Sequence, residues 1–287
     1  MTSKLPLFLL FITVYNASIQ ANDNVAYYLK YSKATDPGRY AYLYKELPDS
    51  IAELCHIINH QFIHPAKVDQ YPELKDKGRY DEKYQNIEDV LGELVNRNAQ
   101  GLTIDRKPEE RLILACGHFA KLLASIMKYK QVPARVRVGF AAYLPCPLPD
   151  KHIDHWICEI WDKNNERWIY VDPDVQKVDF PRIEFESASQ VWFKLRTNKI
   201  NPESYGLFKW WGADYIKGNL CHDFFACLND EQIYWKGPNI FHEDYYALSE
   251  TDLELLSTLA DYLHCPEKHI EALLKLRKDR IEFSNIK

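Results

Sequence analysis

Arg111-Leu112-Ile113-Leu114-Ala115-Cys116-Gly117-His118-Phe119-Ala120-Lys121-Leu122-Leu123 opens the stretch whose reading decides the fold. Phe119, Leu122, Leu123, Ile126 and Met127 recur at the spacing of a buried helical stripe, and Pro133 marks the end of that helix and its turn. Cys116 therefore falls at or near the helix N-terminus. There the helix dipole and free backbone N–H groups favour a thiolate and can donate to an oxyanion. A lone cysteine at the head of an apolar helix reads more readily as a core thiol, so the residues downstream have to decide.

Downstream, Val136, Val138 and Phe140 alternate with Arg135 and Arg137, the period of a strand with one buried face. A proline-rich loop from Pro145 to Asp150 leads to a second strand, His155-Trp156-Ile157-Cys158-Glu159-Ile160-Trp161. Asp162-Lys163-Asn164-Asn165 reads as a four-residue turn, and Glu166 to Asp172 as a third strand. If Trp161 faces Glu166 across that turn, antiparallel pairing sets Ile157 opposite Tyr170 and His155 opposite Asp172. Such partners have Cβ atoms about 4.5–5.5 Å apart. A helix-borne thiol packed on that face completes a nucleophile, base and orienter: Cys116 attacks, His155 takes and returns the proton, and Asp172 fixes the imidazole tautomer.

Two rival sites are weaker. His118 is two helical positions from Cys116, about 200° around the axis, and points away from it. Cys146, His152, His155 and Cys158 are all valid zinc ligands, but His155 and Cys158 are three apart on a strand and face opposite sides. No metal or cofactor is expected.

With these residues in view, Cys116 to Phe140, through Val132-Pro133-Ala134-Arg135 and Gly139-Phe140, resembles the core of the transglutaminase-like superfamily. His155-Trp156 with Glu159, then Trp168 and Val171-Asp172-Pro173, continues the resemblance in order and spacing. It implies an α+β, papain-related fold in which the cysteine-bearing helix packs on an antiparallel sheet, with extra helices at both ends. It also implies that Cys116, His155 and Asp172 correspond to the family's nucleophile, base and acid. More weakly, Asp36-Pro37-Gly38, Ile63-His64-Pro65 and Gly218-Asn219-Leu220 with Asp223 are similar to a group of bacterial single-domain members. That group commonly has arginine and aspartate after the cysteine, and cross-linking transglutaminases have tryptophan next to theirs. Gly117 and His118 stand there in this chain, which weakens any transfer of cross-linking activity.

Away from this core, 287 residues with 46% hydrophobic content suffice for a packed interior. Acidic residues outnumber Lys plus Arg by 41 to 36, and the basic ones are scattered, which argues against a nucleic-acid partner. Lys4, the apolar run Leu5 to Tyr15, and small residues up to Ala21 have the order of a secretory leader. Residues 1–21 are thus expected to be a signal peptide, and 22–287 one domain with a C-terminal helical extension. The product would be periplasmic or secreted if the leader is cleaved and cytoplasmic otherwise. That run is shorter than the roughly 20 residues of a membrane-spanning helix, and no later segment looks transmembrane. With Cys116 as nucleophile, six of the seven cysteines remain, some of which could pair in an exported protein.

Before the core, Val25 to Ser32 reads as a short extended segment. A helix from Asp49 or Ser50 carries Ile51, Leu54, Cys55, Ile58 and Phe62 on one face, with His56, His60 and His64 on the solvated opposite face. A second helix starts at Asn86, with Asp89 helping to cap it, and buries Ile87, Val90, Leu91, Leu94 and Val95. After the core, Trp210, Trp211, Asn219 and Asp223 are possible cleft residues, the aromatics reading as core. From Ser249 onward Leu256, Leu259 and Leu263, then Ile270, Leu273 and Leu274, mark one or two packing helices. The expected activity is thiol-dependent acyl chemistry on a peptide or amide, with hydrolysis and transamidation sharing one thioester. The alternative is a non-catalytic peptide- or cell-wall-binding protein that keeps the fold.

Overall fold

Apolar spacing sorts the chain into an α+β arrangement in the computed structural model, which describes residues 24–74, 81–146, 150–284 and 286. The expected leader and part of the proline-rich loop lie outside the described residues. Among the described residues no helix is long and apolar enough to cross a membrane.

Helix α1, Ile51–Asn59, is capped by Ser50, whose hydroxyl accepts the Glu53 N–H. It ends before Phe62, which instead pairs with Leu112 in a two-stranded parallel sheet of β1 (Phe62–Ile63) and β2 (Leu112–Ile113). His64 is therefore off the helix and, contrary to the solvated face expected of it, largely buried. Helix α2, Ile87–Arg97, follows Asn86, whose side chain makes no capping bond. Near the start of the described chain, Tyr27–Leu29 is a 3-10 turn rather than an extended segment.

Helix α3, Cys116–Tyr129, is nearly all buried. Its Phe119, Leu122, Leu123 and Ile126 share one core with Val136, Val138, Trp156, Cys158 and Ile160 of strands β3 (Ala134–Ala141) and β4 (His152–Asp162). The main sheet runs β6–β5–β4–β3–β7, with β5 at Arg167–Asp172, β6 at Lys177–Val178 and β7 at Phe185–Ser187. Strand β8 (Tyr205–Leu207) adds in parallel to the start of β4, and β9 (Trp210–Trp211) pairs with β8.

The β4–β5 register differs from the sequence expectation by two. Asp162 pairs with Arg167, Glu159 with Tyr170 and Cys158 with Val171, so Asp172 falls opposite Ile157 and diagonal to His155. The turn sits one residue later because the Asp162 carboxylate accepts the N–H groups of Asn164 and Asn165, while Glu166 takes a left-handed φ of 48°. A slip of two preserves the face. His155 and Asp172 therefore still project to the same side.

That side is not the one on which α3 packs. Alternation along β4 sends Trp156, Cys158 and Ile160 toward the helix and His155, Ile157 and Glu159 to the opposite face. This second face is buried as well, which corrects the reading of β3 as a strand with one buried face. Arg135 and Arg137 lie there at 2% and 3% exposure, because carboxylates meet them. Glu159 bonds Arg135 at 2.6 Å and Arg137 at 2.9 Å, Glu267 bonds Arg135, and Asp223 takes Arg137 through two oxygens at 2.9 Å each. The Arg135 guanidinium also stacks over Trp168 and Tyr28.

A second core joins α4 (Ala188–Arg196), α5 (Ala213–Cys227), the short α6 (Asn239–His242), α7 (Glu250–His264) and α8 (Ile270–Asp279). Leu256, Leu259, Leu263, Ile270 and Leu273 are buried as expected, whereas Leu274 and Trp210 are exposed. Asp223 of α5 also accepts the Val138 N–H at 2.9 Å. It serves β3 where β7, which pairs only with Gly139–Ala141, does not reach. All seven cysteines are free thiols.

Candidate active site

Cys116 is the first residue of α3, and the residue before it is Ala115, which makes no side-chain cap. Serine, threonine, aspartate or asparagine at that position would occupy the N–H groups of the first turn. Alanine leaves them to other partners. The Ala115 N–H itself is held by Glu82 at 2.8 Å, which fixes the entry of the chain into the helix.

Strand β5 stops at Asp172, opposite Ile157, so its pairing does not extend to His155. The Cys116 thiol and the His155 ring lie near enough to act on each other electrostatically, although the body of α3 packs on the other face of β4. His155 Nε2 is 2.7 Å from Asp172 Oδ2, which leaves Nδ1 as the ring atom for the thiol. The three residues singled out from sequence are thus brought together, at 5%, 2% and 0% exposure.

Asp172 is heavily supported. Its Oδ2 also accepts from the Tyr143 hydroxyl at 2.6 Å, and its Oδ1 from the N–H of Asp174 at 3.0 Å and of Val175 at 3.4 Å. Burial alone would raise its carboxyl, but His155, Tyr143 and the backbone donors outweigh burial and hold it below the ordinary range. Burial would likewise lower His155. The Asp172 carboxylate and the Cys116 sulfur outweigh it, and the imidazole holds its proton well above the usual histidine range. For Cys116, burial pushes the thiol up, and His155 partly draws it back.

Around these three residues, Asp154, Asp174 and Lys67 carried no recognisable sequence signal. Asp174 receives Lys67 Nζ at 2.7 Å and lies 3.9 Å from His64 Nε2. His64 and Lys67 line a polar cavity of about 170 Å³ together with Asn59, His60, Arg111 and Phe119, the last lying one turn beyond Cys116. Asp154, next to His155, is buried. Asn219 and Tyr215 bond it at 2.8 and 3.1 Å, and burial outweighs them to raise its carboxyl to about 6. Asn219 thus serves the site through Asp154, while Asp223 serves the sheet.

The rival assignments separate from the site. His118 is buried with Nε2 at 3.0 Å from the Tyr84 carbonyl oxygen, away from the thiol. His152 stacks on Tyr205 and pairs with Glu186 at 3.0 Å, and Cys158 lies on the α3 face. Among the described residues no group of three or more His, Cys, Asp or Glu side chains is placed to hold a metal ion.

No curated protein matches the chain. The family model described as the transglutaminase-like superfamily matches residues 72–173, a span that holds Cys116, His155 and Asp172 and ends one residue after the last, so this part of the chain is similar to that superfamily.

Proposed function

We propose that this chain is a cysteine-dependent acyl-transfer enzyme acting on a peptide or amide, by hydrolysis or transamidation. The observation that carries the proposal is the buried His155–Asp172 pair, Nε2 to Oδ2 at 2.7 Å, with the buried Cys116 thiol under the electrostatic influence of the same ring. In that reading His155 removes the thiol proton, and the Cys116 sulfur bonds to the carbonyl carbon. The carbonyl π pair moves to oxygen, and as it returns the bond to the leaving group breaks. His155 gives its proton to the departing nitrogen, and water or an amine then resolves the thioester by the reverse sequence. Asp172 keeps the ring proton on Nε2 and stabilises the imidazolium.

The test uses iodoacetamide and p-nitrophenyl acetate. Wild type is expected to be alkylated at Cys116 ahead of the other six cysteines and to release p-nitrophenolate in a burst. C116A should lose the burst and keep its melting temperature. Uniform slow alkylation of all seven thiols, or a burst undiminished in C116A, would refute the proposal.

A further inference from the structure

Resting on the acyl-transfer reading, we propose that Tyr234 is a catalytic residue of this site, its hydroxyl donating to the oxyanion formed when Cys116 attacks a carbonyl. Tyr234 lies in the segment between α5 and α6, outside the family match at residues 72–173. Its hydroxyl oxygen accepts the Gly117 N–H at 2.7 Å and stands 3.7 Å from the Cys116 sulfur. The ring packs edge-on against Trp156 at 5.0 Å, which fixes its approach to the start of α3.

A phenol hydroxyl has one proton to give and lone pairs to receive. The Gly117 N–H takes up a lone pair, so the proton is directed elsewhere, and the thiol is the reacting group within reach. The oxygen of a carbonyl whose carbon is bonded to that sulfur can lie within about 3 Å of both the sulfur and the Tyr234 hydroxyl, the arrangement an oxyanion donor requires. Burial, with the nearby Cys116 and Glu82, keeps the phenol protonated far above its usual range, so it remains a donor at neutral pH.

Gly117 is part of the same device. A Cβ there would sit 2.6 Å from the Tyr234 oxygen and 3.0 Å from Trp156 Cε3. Any side chain after the cysteine would displace the hydroxyl. The glycine at this position and the tyrosine over it are two halves of one fit.

During attack the S–C bond forms and the carbonyl π pair moves onto oxygen, where the Tyr234 O–H donates a hydrogen bond without losing its proton. Collapse returns the pair and expels the leaving group. With p-nitrophenyl acetate the leaving phenolate needs no proton, so its release reports the oxyanion step. Iodoacetamide is the complement, because the thiolate displaces iodide with no oxyanion formed.

In the full chain, Y234F is expected to slow acylation by p-nitrophenyl acetate about 10²-fold, as loss of one oxyanion donor does, while Cys116 alkylation and melting temperature stay at wild-type values. G117A should show the same selective loss, and the double variant should be no worse than either single one. Wild-type acylation in Y234F, or in G117A if Y234F does not fold, overturns the assignment. So does an equal fall in acylation and alkylation, which would mean that Tyr234 acts on the thiol instead. Wild type that acylates no faster than C116A would instead refute the acyl-transfer reading, before any Tyr234 variant is measured.

Discussion

Replacing Asp172 with asparagine changes one atom in a site that counts protons. The carboxylate accepts four hydrogen bonds, two on Oδ2 from His155 and Tyr143 and two on Oδ1 from the backbone of Asp174 and Val175. An amide offers one oxygen and one NH2. Turning the NH2 toward the backbone would face it with two buried N–H donors, each unmet bond costing about 1–3 kcal/mol. The favoured arrangement keeps the oxygen on Asp174 and Val175 and aims the NH2 at His155 Nε2. That nitrogen must then accept, the ring proton moves to Nδ1, and Nδ1 can no longer take the thiol proton. Acylation by p-nitrophenyl acetate is expected to fall about 10³–10⁴-fold, the scale of a wrong-tautomer imidazole. Stability should fall only about 1–3 kcal/mol, because Tyr143 and His155 exchange charged for neutral hydrogen bonds. Single-turnover acylation with urea unfolding separates the two effects. A folded D172N that acylates within tenfold of wild type would show that Asp172 does not set the tautomer.

His155→Ala removes the group that partly draws the Cys116 thiol down, so the pH profile of iodoacetamide alkylation should move to higher pH and the rate at pH 7 should fall; a profile that stays put argues against the thiol–imidazole contact. Glu159→Gln leaves Arg135 and Arg137 short of a buried partner and is expected to cost about 3–5 kcal/mol in urea unfolding at pH 7. Burial works against the Glu159 charge, but the arginines hold its carboxyl at about 2 against an ordinary 4.5. Its contribution is therefore complete above about pH 4.5 and disappears as pH falls toward 2, so wild type and variant should converge in acid. Constant separation down to pH 2 would contradict the pairing. Cys116→Ala, at a nearly buried site that loses only a sulfur atom, should change stability by about 1 kcal/mol or less, and a variant that cannot fold would give Cys116 a structural role.

How much of the site was legible follows from how far its signals travel along the chain. Cys116 lies at the start of a 3.6-residue pattern, and His155 and Asp172 lie on a hairpin whose period-two alternation puts them on one side. Both periods are local. The hairpin register was misplaced by two because the turn is set by the Asp162 side chain and the left-handed Glu166, which alternation does not encode. The face survived because the error was even. Arg135 and Arg137 read as solvated because periodicity cannot distinguish an arginine in water from one bound to Glu159 and Asp223. His64 was placed on a helix face because nothing local signals that α1 ends at Asn59. Tyr234 meets Cys116 across 118 residues of sequence, and its only trace near the thiol is a glycine that explains nothing until the tyrosine is seen.

The thiol comes near the His155 ring past the end of β5, from a helix seated on the other face of the sheet, and this ties the proposed chemistry to assembly. During synthesis Cys116 precedes His155 by 39 positions, so α3 is made before its base exists. Until the 152–172 hairpin closes and the helix docks on Trp156 and Cys158, the thiol lacks the imidazole that draws out its proton. An unfinished or partly opened chain therefore carries an ordinary exposed thiol, neither buried nor paired with an imidazole, and its acyl chemistry waits on the docking of helix on sheet.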